Sequence, residues 1–157
     1  MAILLYLDTN VFCRPFDDQT TGRIREETEA FAVILEKIKE NEAALVTSDL
    51  LLFEIRRIIS AEKRSKASVY LPLSSRHYSL DDESLQLARE IMARFKVEPR
   101  DSLHLASALL MEAQYFLTCD DGVTKRFKNK PLSAMMTPMA RSINVMNPVD
   151  FVRAMRW

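Results

Sequence analysis

Glycine is almost missing from this 157-residue chain: Gly22 and Gly122 are the only two. A dinucleotide-binding fingerprint needs three closely spaced glycines, a P-loop needs two before its lysine, and a serine-hydrolase elbow needs one on either side of its serine. None of these can be built here. Cysteine is as scarce. Cys13 and Cys119 are too few for a disulfide scaffold and read as free thiols in a reducing compartment, which makes a cytoplasmic location the expectation. Together with the distant His77 and His104 they make no ordinary structural zinc site. No apolar run approaches the length of a membrane span, and no basic segment precedes the short one at the N-terminus, so no membrane partner is expected. Neither sign of charge dominates: 22 Lys and Arg balance 22 Asp and Glu, so any polyanion must be held by a local basic patch.

What is present fits one domain over residues 1–157 with a single substantial core. Residues 2–7 read as a buried strand, followed by a polar loop from Asp8 to about Gly22. Ile24, Thr28, Phe31, Leu35 and Ile38 recur at steps of four and three, which predicts an amphipathic helix over 23–41. Ala43–Thr47 is a second strand. Ser48 or Asp49 caps a helix with Leu51, Ile55 and Ile58 on one face, and residues 60–70 continue it as a basic helix until Pro72. Residues 74–80 read as a weak strand or extended loop. Asp81 or Asp82 starts a helix with Leu85, Ala88, Met92 and Phe95 on its buried stripe. A helix over 101–113, a strand at 115–118, a short helix or turn over 121–128, an irregular Met-rich segment at 131–138, an edge strand at 143–146 and a helix after Pro148 complete the chain. Strands alternating with helices imply an α/β fold: a three-layer α/β/α sandwich with a mostly parallel central sheet.

Carboxylate is the abundant chemistry, and its placement is informative. Ile3–Leu7 ends abruptly in Asp8-Thr9-Asn10, and Phe116-Leu117-Thr118 runs into Cys119-Asp120-Asp121. Acids at the carboxyl ends of buried strands lie where open α/β sheets bind ligands. Glu54 shares a helical face with Leu51, Ile55 and Ile58, where an unpaired carboxylate is costly. Asp101 follows Pro99-Arg100 at a helix start. Each acid has a plainer reading: a turn for Asp8, a stripe edge for Glu54, an N-cap for Asp101, a turn or cap for Asp120 or Asp121. His104, one turn after Asp101, reads more readily as a packing or surface residue, and His77 has no evident company. Four acids on separate elements converging on one crevice would repel unless a hard cation neutralised them. Magnesium suits such a site, and metal-assisted attack of water on a phosphodiester is the chemistry it would run.

At these residues the chain resembles the PIN-domain family, the metal-dependent ribonucleases that include VapC-like toxins. The resemblance spans nearly the whole chain. It rests on Leu7-Asp8-Thr9-Asn10, on Glu54, on Arg100-Asp101-x-x-His104-x-Ala106-x-Ala108, on Leu117-Thr118-x-Asp120 and on Asn147-Pro148-x-Asp150-Phe151. It implies a PIN-like fold, Asp8, Glu54, Asp101 and Asp120 as metal-binding catalytic acids, Mg²⁺ or Mn²⁺ as cofactor, and RNA as substrate. It also implies Thr9, Asn10 and Thr118 as polar supports, a homodimer, and an antitoxin partner that inserts near the site. The chain departs from the pattern in its long Arg14–Gly22 connection and in the doubled Asp120-Asp121, so Asp121 stays beside Asp120 as a supporting or alternative ligand.

The cations that RNA would need are sought locally. Arg56, Arg57, Lys63, Arg64 and Lys66 follow Glu54; Lys125, Arg126, Lys128 and Lys130 follow Asp120. Arg56 and Arg57 are expected to contact phosphates, and Arg14 and Arg100 to grip the scissile one. Two other classes compete with the nuclease. An aspartate-based phosphatase of the haloacid-dehalogenase type needs a second Asp two residues after the first, where this chain has Asn10. A non-catalytic PIN-fold RNA-binding or interaction module would have lost an acid, and all four are present.

Overall fold

A computed structural model describes residues 1–128, 130–134 and 141–157. Five parallel strands form the sheet: β1 (Ile3–Leu7), β2 (Ala43–Ser48), β3 (Ser74–Tyr78), β4 (Tyr115–Leu117) and β6 (Arg141–Met146). A short β5 (Leu132–Ala134) pairs antiparallel with β6, and the order across the sheet is β3-β2-β1-β4-β6-β5. The chain thus moves outward from β1 on one side and returns to the other side at β4. The carboxyl ends of β1 and β4 meet at this switch point, the usual crevice of an open α/β sheet.

Alternation along the strands feeds two cores. Tyr6, Val46 and Phe116 point toward α5 (Asp82–Phe95) and α6 (Pro99–Leu110), packing on Leu87, Ile91, Leu105 and Leu109. Leu5, Leu7, Leu45 and Leu117 point the other way, onto Phe12, Phe31, Ile34, Leu51, Ile55 and Phe151. These belong to α1 (Thr9–Cys13), α2 (Gly22–Lys39), α3 (Asp49–Arg56) and α8 (Pro148–Met155), joined by α4 (Ala61–Ser68) through Ala67. The three-layer α/β/α sandwich read from the sequence is the fold observed. Among the described residues no helix is long and apolar enough to cross a membrane.

Several local expectations are corrected. The polar loop after Asp8 contains the helix α1, because Val11, Phe12 and Cys13 are buried on one side of it. On α2 the buried line is Glu27, Ala30, Phe31, Ile34 and Ile38, so Thr28 and Leu35 only flank it. The helix after Glu54 does not run on: Ser60 caps a separate α4, accepting from Lys63 N. On α5, a capping box between Asp81 and Ser84 sets the first turn, and Ser84, Leu87, Ala88 and Ile91 face inward while Leu85 stays 43% exposed. Strand β6 is not an edge, because β5 covers it; Leu132–Ala134 is therefore a strand within the segment read as irregular, whose residues 135–138 lie outside those described. His77 has company after all. Its Nδ1 lies 2.9 Å from Thr47 Oγ1 and its Nε2 2.7 Å from Asp49 Oδ1, tying β3 to β2 and α3.

Asn147 closes the last strand onto the last helix. Its Oδ1 accepts from Val149 N at 2.8 Å and its Nδ2 donates to Glu27 Oε2 at 2.6 Å, in the middle of the α2 core face. Glu27 also meets Arg14 Nε at 3.1 Å. Asn147→Ala removes a helix cap and one donor to a buried carboxylate. It should cost about 1–2 kcal/mol, read as a lower urea midpoint at unchanged slope; an unchanged midpoint would contradict these roles.

Candidate active site

The backbone ladder runs one residue past the strands at the carboxyl edge. Asp8 N donates to Leu117 O at 2.9 Å and Thr118 N to Met146 O at 3.0 Å, which brings Asp8 and Thr118 together. Asp8 caps α1 through Oδ1, which accepts from Thr9 N at 2.7 Å. Its Oδ2 accepts from Thr118 Oγ1 at 2.8 Å and, longer, from Asn10 Nδ2 at 3.3 Å. The Thr118 hydroxyl accepts in turn from Asn10 Nδ2 and from Asp120 N, each at 3.1 Å. Asn10 Oδ1 accepts from Cys119 N at 3.0 Å. Thr118 and Asn10 thus join both strand ends and hold Asp8 rigidly.

Glu54 reaches the same place from α3. Oε1 accepts from Thr9 Oγ1 at 2.7 Å and is hydrogen-bonded to His104 Nε2; Arg100 Nε lies 2.5 Å from Oε2 as an ion pair, outside hydrogen-bond alignment. Burial pushes this carboxyl's pKa up, but His104, Thr9 and Arg100 outweigh it and leave it below the ordinary value. Asp101 differs. It is no N-cap, because Pro99 occupies the first helical turn and Glu98 precedes it; Asp101 sits in that first turn. Burial first, then the nearby Asp8 and Asp120, raise its pKa to about 6.

Asp120 and Asp121 part company. Asp120 is the N-cap of the short α7 (Asp121–Thr124), its Oδ1 accepting from Gly122 N at 2.8 Å. A Cβ at Gly122 would lie 3.0 Å from that oxygen, so glycine permits this close approach. Asp121 turns to α2, where Arg23 grips both its oxygens at 2.7 and 2.8 Å and holds its pKa below the ordinary value.

Asp8, Glu54, Asp101 and Asp120 line one cavity of about 350 Å³, with Thr9, Asn10, Cys13, Asp17, Lys63 and Arg100. The expected cations are more scattered. Arg100 lines the cavity. Arg14 is committed to Asp17 and Glu27, at 2.9 and 3.1 Å. Arg56 borders a separate apolar recess with Phe53 and Leu80, and Arg57 lies over the Phe53 ring. Lys63, which lines the cavity and pairs with Asp17 at 2.5 Å, was visible in the sequence only as one of a basic run.

A family model for the PIN domain matches residues 5–129. The chain belongs to the PIN-domain family. Comparison with curated proteins gives no significant sequence match. Among solved structures, this PIN domain is similar in fold to FitAcB from Neisseria gonorrhoeae, with 17% identity and a TM-score of 0.56 over 92% of this chain and 97% of that one. It is similar to VapBC2 from Rickettsia felis bound to a DNA fragment from its promoter, with 15% identity and a TM-score of 0.56 over 82% and 96%. A toxin–antitoxin complex from Klebsiella pneumoniae gives 18% identity and a TM-score of 0.53 over 92% and 97%.

The donor set of this PIN domain fits a hard divalent cation. Carboxylates from four elements line one cavity, and Asp101, its pKa raised by burial first and then by Asp8 and Asp120, lies among them. His104 belongs to the tightest cluster, with one ligand atom each from Asp8, Glu54 and His104 within 4.8 Å. Yet its Nε2 is taken by Glu54 and its Nδ1 by Tyr6 OH at 2.6 Å, which leaves no free nitrogen for an ion. His104, noted in the sequence one turn after Asp101 but read more readily as a packing or surface residue, instead sits against Glu54 at the site.

The Asp101 carboxyl sets a pH dependence. Its unfolded pKa is near 3.8 and its folded pKa about 6, so between these values the folded state binds more protons. Stability from this group is therefore lost as pH rises through that window. In EDTA, Asp101→Asn should gain melting temperature relative to the unmutated protein from pH 4 to about 6 and hold the gain at neutrality. A difference that does not move with pH would contradict a buried Asp101 carboxyl crowded by like charge.

Proposed function

We propose that this PIN domain is a Mg²⁺- or Mn²⁺-dependent endoribonuclease, and that it is the toxin of a toxin–antitoxin pair. The observation that carries the reading is the convergence of Asp8, Glu54, Asp101 and Asp120 on one cavity at the switch point of the sheet. Membership of a family of nucleases supports hydrolysis of nucleic acid, and the toxin–antitoxin assemblies of similar fold support an antitoxin partner. RNA as substrate, a homodimer and cytoplasmic action complete the proposal.

Asp8, Glu54, Asp101 and Asp120 would hold the cation, which when bound supplies a water of lowered pKa and neutralises charge on the phosphate. The chain's own residues do the rest. Thr118 and Asn10 keep Asp8 in one rotamer, so little reorganisation is left for the reaction. Thr9 and His104 do the same for Glu54. Arg100, with three-quarters of its side chain exposed, and Lys63 are the cations positioned at the cavity to meet a phosphate oxygen. Arg14 serves the α2 anchorage first, and Arg56 and Arg57 lie further out, suited to phosphates that flank the cleaved one.

Purified protein should cleave RNA with Mg²⁺ or Mn²⁺ and lose cleavage in EDTA. Asp8→Asn and Asp101→Asn should each abolish turnover, and Asp120→Asn should cost far more than Asp121→Asn, whose carboxylate is spent on Arg23. Metal-independent cleavage that survives repurification would overturn the proposal. An essential Asp121 would reassign the fourth acid.

A further inference from the structure

One buried chain of hydrogen bonds at the site is unaccounted for by the acids alone. It begins at Ser48, the N-cap of α3, whose Oγ accepts from Leu51 N at 3.2 Å. The same Oγ lies 2.6 Å from Tyr6 OH, and Tyr6 OH lies 2.6 Å from His104 Nδ1. His104 Nε2 reaches Glu54 Oε1. Ser48 and Tyr6 are fully buried and His104 is 1% exposed. Tyr6 does not line the cavity; its ring is stacked on Phe116 at 5.3 Å in the middle of the sheet.

With a neutral His104 ring, counting protons gives the chain one direction. Ser48 already accepts from Leu51, and its remaining partner for its own proton is the Tyr6 oxygen. Tyr6 accepts there, so its single proton goes to His104 Nδ1. Nδ1 is then an acceptor, the ring's proton sits on Nε2, and it is donated to Glu54. With His104 neutral, reversing any link sets two donors or two lone pairs against each other in the buried chain.

We propose that Tyr6 and His104 are positioning residues, a one-way relay that fixes the Nε2–H tautomer of His104 and thereby aims and holds the Glu54 carboxylate. This rests on the reading of Glu54 as one of the cation-binding acids, and it adds a residue that touches neither substrate nor cavity. Without the Tyr6 hydroxyl, Nδ1 has no donor, the tautomer is no longer chosen, and Glu54 loses a constant partner. Groups that orient metal-binding side chains commonly carry about ten- to a hundredfold in affinity or activity.

The test has two arms. Long-range ¹H–¹⁵N NMR reads the tautomer directly, with His104 assigned by comparison with His77→Gln. The unmutated protein in EDTA should show a protonated Nε2 and a bare Nδ1, and Tyr6→Phe should mix or invert that pattern. The second arm is calorimetric titration with Mn²⁺ alone. Tyr6→Phe should weaken Mn²⁺ binding about tenfold. In a His104→Gln background, where the amide donates to Glu54 without needing Tyr6, Tyr6→Phe should cause no further loss. A merely structural tyrosine would weaken binding equally in both backgrounds, and that result overturns the relay. So does a proton found on Nδ1 in the unmutated protein. Absence of Mn²⁺ binding by the unmutated protein would overturn the cation-site reading, and with it the role given to the relay; the NMR arm would still decide the tautomer.

Discussion

Carboxylates gathered at one crevice set the terms for the structure around them. In a low-dielectric pocket such charges repel, and each must be met by donors, by cations or by protonation. This chain meets them unequally. Asp8 is saturated by Thr9, Asn10 and Thr118. Glu54 has Thr9, His104 and Arg100. Asp120 has a backbone amide. Asp101 has the least help, and burial, then the neighbouring Asp8 and Asp120, raise its pKa. The pattern supports the proposal of a cation held among these acids.

The scaffold exists to hold that concentration in place. Extension of the parallel ladder past β1 and β4 brings Asp8 and Thr118 together, and the strand order makes that junction the switch point of the sheet. On the outer side, Glu27 gathers Arg14, Arg23 and Asn147, so the connection after α1, the start of α2 and the cap of α8 share one buried carboxylate. Arg23 extends the same network to Cys119 O and Asp121, steadying the turn that carries Asp120. Burial first, then Glu27, pushes the Cys119 thiol well above its usual range, which suits packing better than reactivity.

What the sequence made legible follows from which signals are local. Abrupt endings of apolar runs at Asp8 and Thr118 revealed strand ends, and strand ends in an α/β chain predict the site. Glu54 stood out because a carboxylate beside Leu51 and Ile55 is expensive. The rotation of α2 and α5 was less legible, since Glu27 and Ser84 occupy inward positions that a hydrophobicity pattern assigns to neighbours such as Leu35 and Leu85. The plainer reading of Asp101 as an N-cap fails because Pro99 begins the helix two residues earlier. Partnerships across 98 residues, such as Tyr6 with His104 or Arg23 with Asp121, leave no mark on local pattern and had to be seen in three dimensions.

The proposal that these acids form a single cation site is tested by binding linkage, without substrate, partner or activity. A cation that binds only the folded state adds RT ln(1 + [L]/Kd) to stability. The measurement is the melting temperature against Mg²⁺ concentration, up to millimolar levels, for the unmutated protein and for Asp101→Asn. A rise with the logarithm of Mg²⁺ is expected, and Asp101→Asn should largely lose it. A melting temperature indifferent to millimolar Mg²⁺, or a mutant that keeps the full rise, would contradict the proposal.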